Sequence, residues 1–175
     1  MIVAVVILLA LGVKYIPHLQ KIAYPYPHRI IIEKYANEYG VDPFLAIAVI
    51  REESKFLPRS ESNKGAKGLM QLMPETAKEV AELLGEEFNE DDLYEPEKNI
   101  QYGIKYIAIL QKEFDHPILI LASYNGGQGH VREWIKAGQL NLDNLSYDGI
   151  PFRETRNYVE RVLKSYLKYQ TLYGV

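Results

Sequence analysis

The 175-residue chain contains no cysteine, which excludes thiol catalysis, cysteine-ligated zinc and iron–sulfur clusters. Its four histidines, His18, His28, His116 and His130, show no H-E-x-x-H or other paired spacing, so no metal or other cofactor is expected. Positive charge is also short: 20 Lys+Arg stand against 23 Asp+Glu, a formal −3. Gripping a phosphate backbone needs clustered cations, so nucleic acid is not expected as a partner. No stretch alternates polar and apolar residues with period two over a useful length, and no internal repeat or low-complexity tract occurs. Gly126, Gly127 and Gly129 follow a helical pattern rather than a strand, which argues against a dinucleotide site. What remains is ordinary globular usage, 47% hydrophobic and 25% charged, at a length that suits one domain with its own core.

The one long apolar run is Met1 to Val13, free of charge and ended by Lys14-Tyr15-Ile16-Pro17. A spanning helix needs about 17–20 apolar residues, whereas the apolar part of an export signal needs roughly 7–15. The run fits the second better, although no Lys or Arg precedes it and no small-x-small cleavage site follows. Lys14 and Tyr15 are suited to the membrane interface and lengthen the effective span. Residues 1–16 are therefore expected to act as an export signal retained as a membrane anchor, with a buried N-terminal strand or helix as the alternative. Pro17, Pro25 and Pro27 suggest a linker over 17–28. The domain proper is expected over 29–175.

Within it the punctuation is helical. Ile31, Ile32, Tyr35, Ala36 and Tyr39 mark one face, stopped by Gly40. Asp42-Pro43 pairs a capping side chain with proline at the first helical position and opens a helix to about Phe56. Pro74, Pro96 and Pro117 open three more, and Gly85 and Gly126-Gly127 stop two of them. A helix over Val131–Ala137 and a long one from about Phe152 complete an all-α fold.

The segment Phe44 to Ile50 is apolar on every side, and a helix apolar all round is buried all round. It runs directly into Arg51-Glu52-Glu53-Ser54. A carboxyl at such an exit is partly desolvated, which raises its pKa toward the range of a general acid. Glu53 follows Val49 and Ile50 by one turn, and Glu52 follows Ala48 and Val49, so spacing alone does not choose between them. Two solvated glutamates at a helix end would read the same. Downstream, a turn-rich loop over Glu61–Gly68 leads into Leu69-Met70-Gln71-Leu72-Met73-Pro74, an apolar cluster with one amide that suits either a pocket wall or plain packing. Ser123-Tyr124-Asn125-Gly126-Gly127 then closes a helix with a phenol and an amide.

In this order, with comparable spacings, Glu53-Ser54, Gly68-Leu69-Met70-Gln71, Ser123-Tyr124-Asn125-Gly126-Gly127 and Phe152-Arg153-Glu154-Thr155-Arg156-Asn157-Tyr158-Val159 closely resemble the soluble lytic transglycosylase domain. This is the lysozyme-like fold of glycoside hydrolase family 23. The resemblance covers about Ala23 to Tyr169. It implies an exported enzyme of the cell envelope that cleaves the β-1,4 bond between N-acetylmuramic acid and N-acetylglucosamine in peptidoglycan, leaving a 1,6-anhydro muramyl product. It further implies that Glu53, directly before a serine, is the catalytic acid and then base, with Glu52 accessory. Ser62, Met70, Gln71, Tyr124, Asn125, Glu154 and Tyr158 are implied at the glycan-binding groove, in a monomer with no cofactor. Two residues depart from the usual pattern: Ser123 where many members carry alanine, and Phe56 where a bulkier aromatic is common. The rivals are a hydrolytic muramidase, which needs a second carboxylate for which Glu61 and Glu154 are the local candidates, and a non-catalytic wall-binding component of an envelope complex.

Overall fold

The computed structural model describes residues 19–174. The apolar run 1–13, and the anchor expected over 1–16, lie outside the described residues. The remainder is helical: α1 (Arg29–Tyr39), α2 (Pro43–Ser54), α3 (Pro74–Leu84), α4 (Pro96–Gln111), α5 (Pro117–Gly126), α6 (Gln128–Lys136) and α7 (Arg153–Tyr173). Short 3-10 turns lie at Glu90–Tyr94, Leu142–Asn144 and Tyr147–Gly149. Among the described residues the only β pairing is two isolated bridges, Glu61 with Lys67 and Lys67 with Leu72. The fold is all-α, as expected.

Proline at the first helical position opens α2, α3, α4 and α5, where its missing N–H is no loss. At α2 the Asp42 side chain adds a cap, accepting from the Phe44 N–H at 2.8 Å. Two boundaries differ from expectation. α2 stops at Ser54 rather than Phe56, because Lys55 and Phe56 are both left-handed, φ 51° and 67°. α6 starts at Gln128, immediately after Gly127, instead of at Val131.

The core is organised around α2. Leu45 to Ile50 are all buried, as the uniformly apolar segment requires. The helix lies against α7 and α1, while α5 also packs on α7. A polar tie also joins the start of α2 to α7: the Tyr166 hydroxyl donates to Asp42 at 2.7 Å.

The segment suggested as a linker is docked from residue 19 onward. Residues 19–23 are helical. Arg51 donates to the Ala23 carbonyl at 2.8 Å and its guanidinium lies 4.0 Å from the Tyr24 ring centre. Tyr169 and Tyr173 donate to the carbonyls of Pro25 and Tyr24, each at 2.8 Å. The prolines break helical continuity, as the sequence indicates. The tyrosines between them supply the aromatic surface that fixes the segment to the end of α7.

Candidate active site

The two glutamates at the end of α2 have different surroundings. Glu52 turns toward α7, with its side chain 7% exposed. It accepts from the Ser165 hydroxyl at 2.8 Å and from Lys55 at 2.9 Å, and lies 3.6 and 3.5 Å from Arg51 and Arg161. Burial favours its neutral form, but these donors and cations outweigh it and hold the carboxyl below its ordinary range. Glu52 is thus a carboxylate favoured in its charged form, and it ties two helices together.

Glu53 faces the other way and has no cation bonded to it among the described residues. Burial pushes its carboxyl up to about 7. The Tyr158 hydroxyl, Arg161 and Lys55 oppose that rise without cancelling it. Tyr158 is buried, and its hydroxyl falls short of a well-formed hydrogen bond with any partner among the described residues. Burial and the negative charge on Glu53 together raise Tyr124 and Tyr158 well above the usual phenol range. Both phenols are therefore neutral at any working pH. The left-handed Lys55 and Phe56 end the helix directly behind this acid, a local strain of the kind that collects at functional sites.

The loop from Ser60 to Met73 forms one wall of the cleft. Ser62 Oγ accepts from the backbone N–H groups of Ala66 (3.0 Å) and Lys64 (3.3 Å), which leaves its own proton to donate outward. Gln71 sits at φ 50° and sends its side-chain nitrogen to the carbonyls of Ser60 (3.0 Å) and Gly68 (2.9 Å). Both partners are acceptors, so the amide orientation is fixed and its oxygen is left for the cleft. Buried Asn99 on α4 clips this wall to the core: it accepts from the Met70 N–H at 2.7 Å and donates to Lys67 and Leu93 carbonyls at 3.0 and 2.9 Å. Gly68, at φ 79°, lies where any Cβ would collide with the Leu93 carbonyl and the Asn99 amide.

The opposite wall comes from the end of α5 and the start of α7. Glu53, Ser62, Gln71, Tyr124, Asn125 and Glu154 meet at a cleft of about 310 Å³ that also includes Asn63, Lys64, Ala66 and Met73. A hollow of about 530 Å³ continues past Lys64, Asn125 and Glu154 to His130 and Phe152. Another, of about 260 Å³, continues past Gln71, Met73 and Asn125 to Thr76 and Tyr106. Shared lining residues join the three hollows, with Glu53 in the first. Lys64 and Glu154 pair at 3.6 Å on its rim.

Two expected groove residues are placed elsewhere. Met70 is fully buried, and its sulfur packs against Gly103 of α4. Its backbone carbonyl accepts the Tyr124 hydroxyl at 2.8 Å, so it holds the tyrosine and does not line the groove. Tyr158 lies behind Glu53 and does not reach the cleft surface. The methionine in the groove is Met73, 40% exposed. Its signal was the following Pro74: a residue before a helix-opening proline is forced extended, here ψ 136°, and points out of the packed turn. Asn63, Lys64 and Asn99 were also missed; single polar residues in loops and on helices carry no pattern of their own. Glu61 is not in the cleft. It accepts from Lys67 at 2.8 Å and Tyr94 at 2.7 Å, which hold its carboxyl low.

Comparison with known proteins identifies the family. The family described as the transglycosylase SLT domain matches residues 30–145. The soluble lytic murein transglycosylase of Salmonella typhimurium is 33% identical over 150 residues, 83% of this chain and 23% of that protein. The membrane-bound lytic murein transglycosylase C of Haemophilus ducreyi is 31% identical over 162 residues, 79% of this chain and 44% of that one. Among solved structures, the 70 kDa soluble lytic transglycosylase of Escherichia coli superposes with TM-score 0.82 at 31% identity, covering 89% of this chain and 26% of its own. An inactive mutant of the lytic transglycosylase Slt of Pseudomonas aeruginosa gives 0.78 at 34% identity, covering 87% and 25%. The chain thus spans about a quarter of the soluble relatives it matches. On the matched residues and the shared fold, the chain belongs to the transglycosylase SLT domain family.

Proposed function

We propose that this protein is a peptidoglycan lytic transglycosylase that cleaves the β-1,4 bond between N-acetylmuramic acid and N-acetylglucosamine and closes a 1,6-anhydro ring on the muramyl side. The observation that carries the reading is Glu53: one buried carboxyl, protonated up to about pH 7, in a cleft that adjoins two further hollows with room for neighbouring sugars.

Glu53 gives its proton to the glycosidic oxygen as the C1–O bond breaks, and positive charge develops at C1. The substrate's acetamido oxygen covers C1 in place of a protein nucleophile. Glu53, now ionised, takes the proton of the C6 hydroxyl while that oxygen bonds to C1 and releases the acetamido group. No water is consumed, and the tethered hydroxyl has an advantage over solvent that can reach several kcal/mol. Ser62 donates to the carboxylate or the acetamido group, and the Gln71 oxygen accepts from a sugar N–H or O–H. Tyr124 and Asn125 contact the sugar, and Glu154 with Lys64 lines the rim. Met73 takes the groove-wall role first expected of Met70, and Tyr158 supports Glu53 from behind.

The disposition of other carboxylates favours this over hydrolysis. Glu61 is outside the cleft and paired, and Glu154 is mostly exposed and paired with Lys64. Hydrolysis would require the exposed, Lys64-paired Glu154 to act on water as the second carboxylate.

The remaining parts of the proposal are an exported monomer of the cell envelope, held at the membrane by residues 1–16, with residues 29–175 as the catalytic domain. No helix among the described residues is long and apolar enough to cross a membrane. The test is to digest purified peptidoglycan and weigh the fragments. Anhydro products, one water lighter than hydrolytic ones and absent with Glu53→Gln, are expected. Hydrolytic products, or unchanged cutting by Glu53→Gln, would overturn it.

A further inference from the structure

The end of the domain nearest the N-terminal run carries an apolar surface that the groove chemistry does not use. Leu19, Ile22 and Ile30 are 64%, 76% and 84% exposed. Leu19 and Ile22, three apart in the helical stretch 19–23, share a face. This surface cannot swing freely. Tyr24 and Tyr26 pack on Tyr169 and Tyr173, and the bonds from Arg51, Tyr169 and Tyr173 hold the backbone on either side of Tyr24. Cations sit in the same place: Lys21 lies 5.0 Å from the Tyr173 ring centre, and Arg29, which also pairs with Glu33, lies 5.5 Å from that of Tyr26.

Charge along the chain is divided accordingly. The first 30 residues contain Lys14, Lys21 and Arg29 and no acid; with −3 for the whole chain, residues 31–175 carry −6. A cationic, tyrosine-rimmed end with protruding aliphatic side chains, continuous in sequence with an uncharged apolar run, matches the lipid–water interface, while the acidic remainder is repelled by anionic lipid.

We propose that this face of the folded domain lies on the lipid surface, so that the membrane makes a second contact beyond the N-terminal run and holds the groove at a fixed height and tilt. The inference rests on the reading of residues 1–16 as an anchor. It goes further, because a domain on a flexible tether would sample all heights, whereas a docked one reaches only glycan at one distance from the bilayer.

The absence of cysteine permits a direct test in the full-length protein. Ile22→Cys and Ile30→Cys each carry an environment-sensitive fluorophore. Leu83→Cys is the control, an exposed leucine on α3, which packs on α4 and the Glu90–Tyr94 turn instead. Each is reconstituted with phosphatidylcholine vesicles, with and without phosphatidylglycerol, and flotation scores the anchor separately. The expected result is a blue shift and quenching by headgroup-region spin-labelled lipid at 22 and 30, larger with the anionic lipid, and a water-like spectrum at 83. Flotation with water-like spectra at 22 and 30 would overturn the docked face and leave the anchor standing. Loss of flotation would overturn the anchor reading and the docked face with it. A blue shift that appears in detergent without vesicles and grows with protein concentration would assign the face to a second copy of the chain, and would also overturn the proposal.

Discussion

Replacing Glu53 by Gln should stabilise the fold, and by an amount that depends on pH. The carboxyl rises from an ordinary 4.5 in the unfolded chain to about 7 in the folded one. Between those values the folded state holds a proton that the unfolded state has released, so stability falls as pH rises through that window. At 1.36 kcal/mol for each tenfold change, the full loss is about 3 kcal/mol, complete above pH 7 and absent below about 4.5. Glutamine keeps the shape of the protonated acid and never ionises, so its variant escapes the loss. Thermal or urea denaturation of both proteins from pH 4 to pH 8.5 should show nearly equal stabilities at the acid end. At the alkaline end Glu53→Gln should be ahead by about 3 kcal/mol, roughly 6–12 °C for a domain of this size. A difference that does not change with pH, or a variant less stable at pH 8, would refute the claim that desolvation dominates at this carboxyl, and with it the physical basis for its role as an acid.

The same titration predicts that cleavage rate falls about tenfold per pH unit above pH 7, as the donor form is lost, measured by release of soluble muropeptides. Ser123 has a buried hydroxyl with no hydrogen-bond partner among the described residues, so Ser123→Ala should raise stability by about 1–3 kcal/mol in a denaturant melt. Met70→Ala should cost about 2–5 kcal/mol of stability by opening a cavity against Gly103. Met73→Ala should stay within about 0.5 kcal/mol while weakening glycan binding, and a reversal of this pair would contradict the assigned groove wall. Asn99→Ala should cost about 3 kcal/mol and loosen the Gly68–Gln71 wall, seen as faster amide exchange there.

Much was legible without coordinates, for local reasons. A proline at the start of four helices and a glycine at several helix ends are short-range signals, and they located those helices to within a few residues. The apolar run Phe44–Ile50 identified the buried helix because no face of it could tolerate water. The order of motifs named the family. Physical chemistry did not separate Glu52 from Glu53, because adjacent positions on a helix differ only by a rotation. What lies at each end of that rotation is contributed by α7 and by the Ser60–Met73 loop, distant in sequence.

The sequence by itself therefore determined the element order, the all-α class and which helix would be buried, since these follow from periodicity, capping and the cost of hydrating apolar side chains. The tertiary structure decided which glutamate is dry and which is paired, turned Met70 inward and Met73 outward, placed Tyr158 behind the acid and docked the Pro- and Tyr-rich segment onto α7. Desolvation and ion pairing depend on what stands within a few ångströms in space, and neighbours in space are chosen by folding rather than by position along the chain.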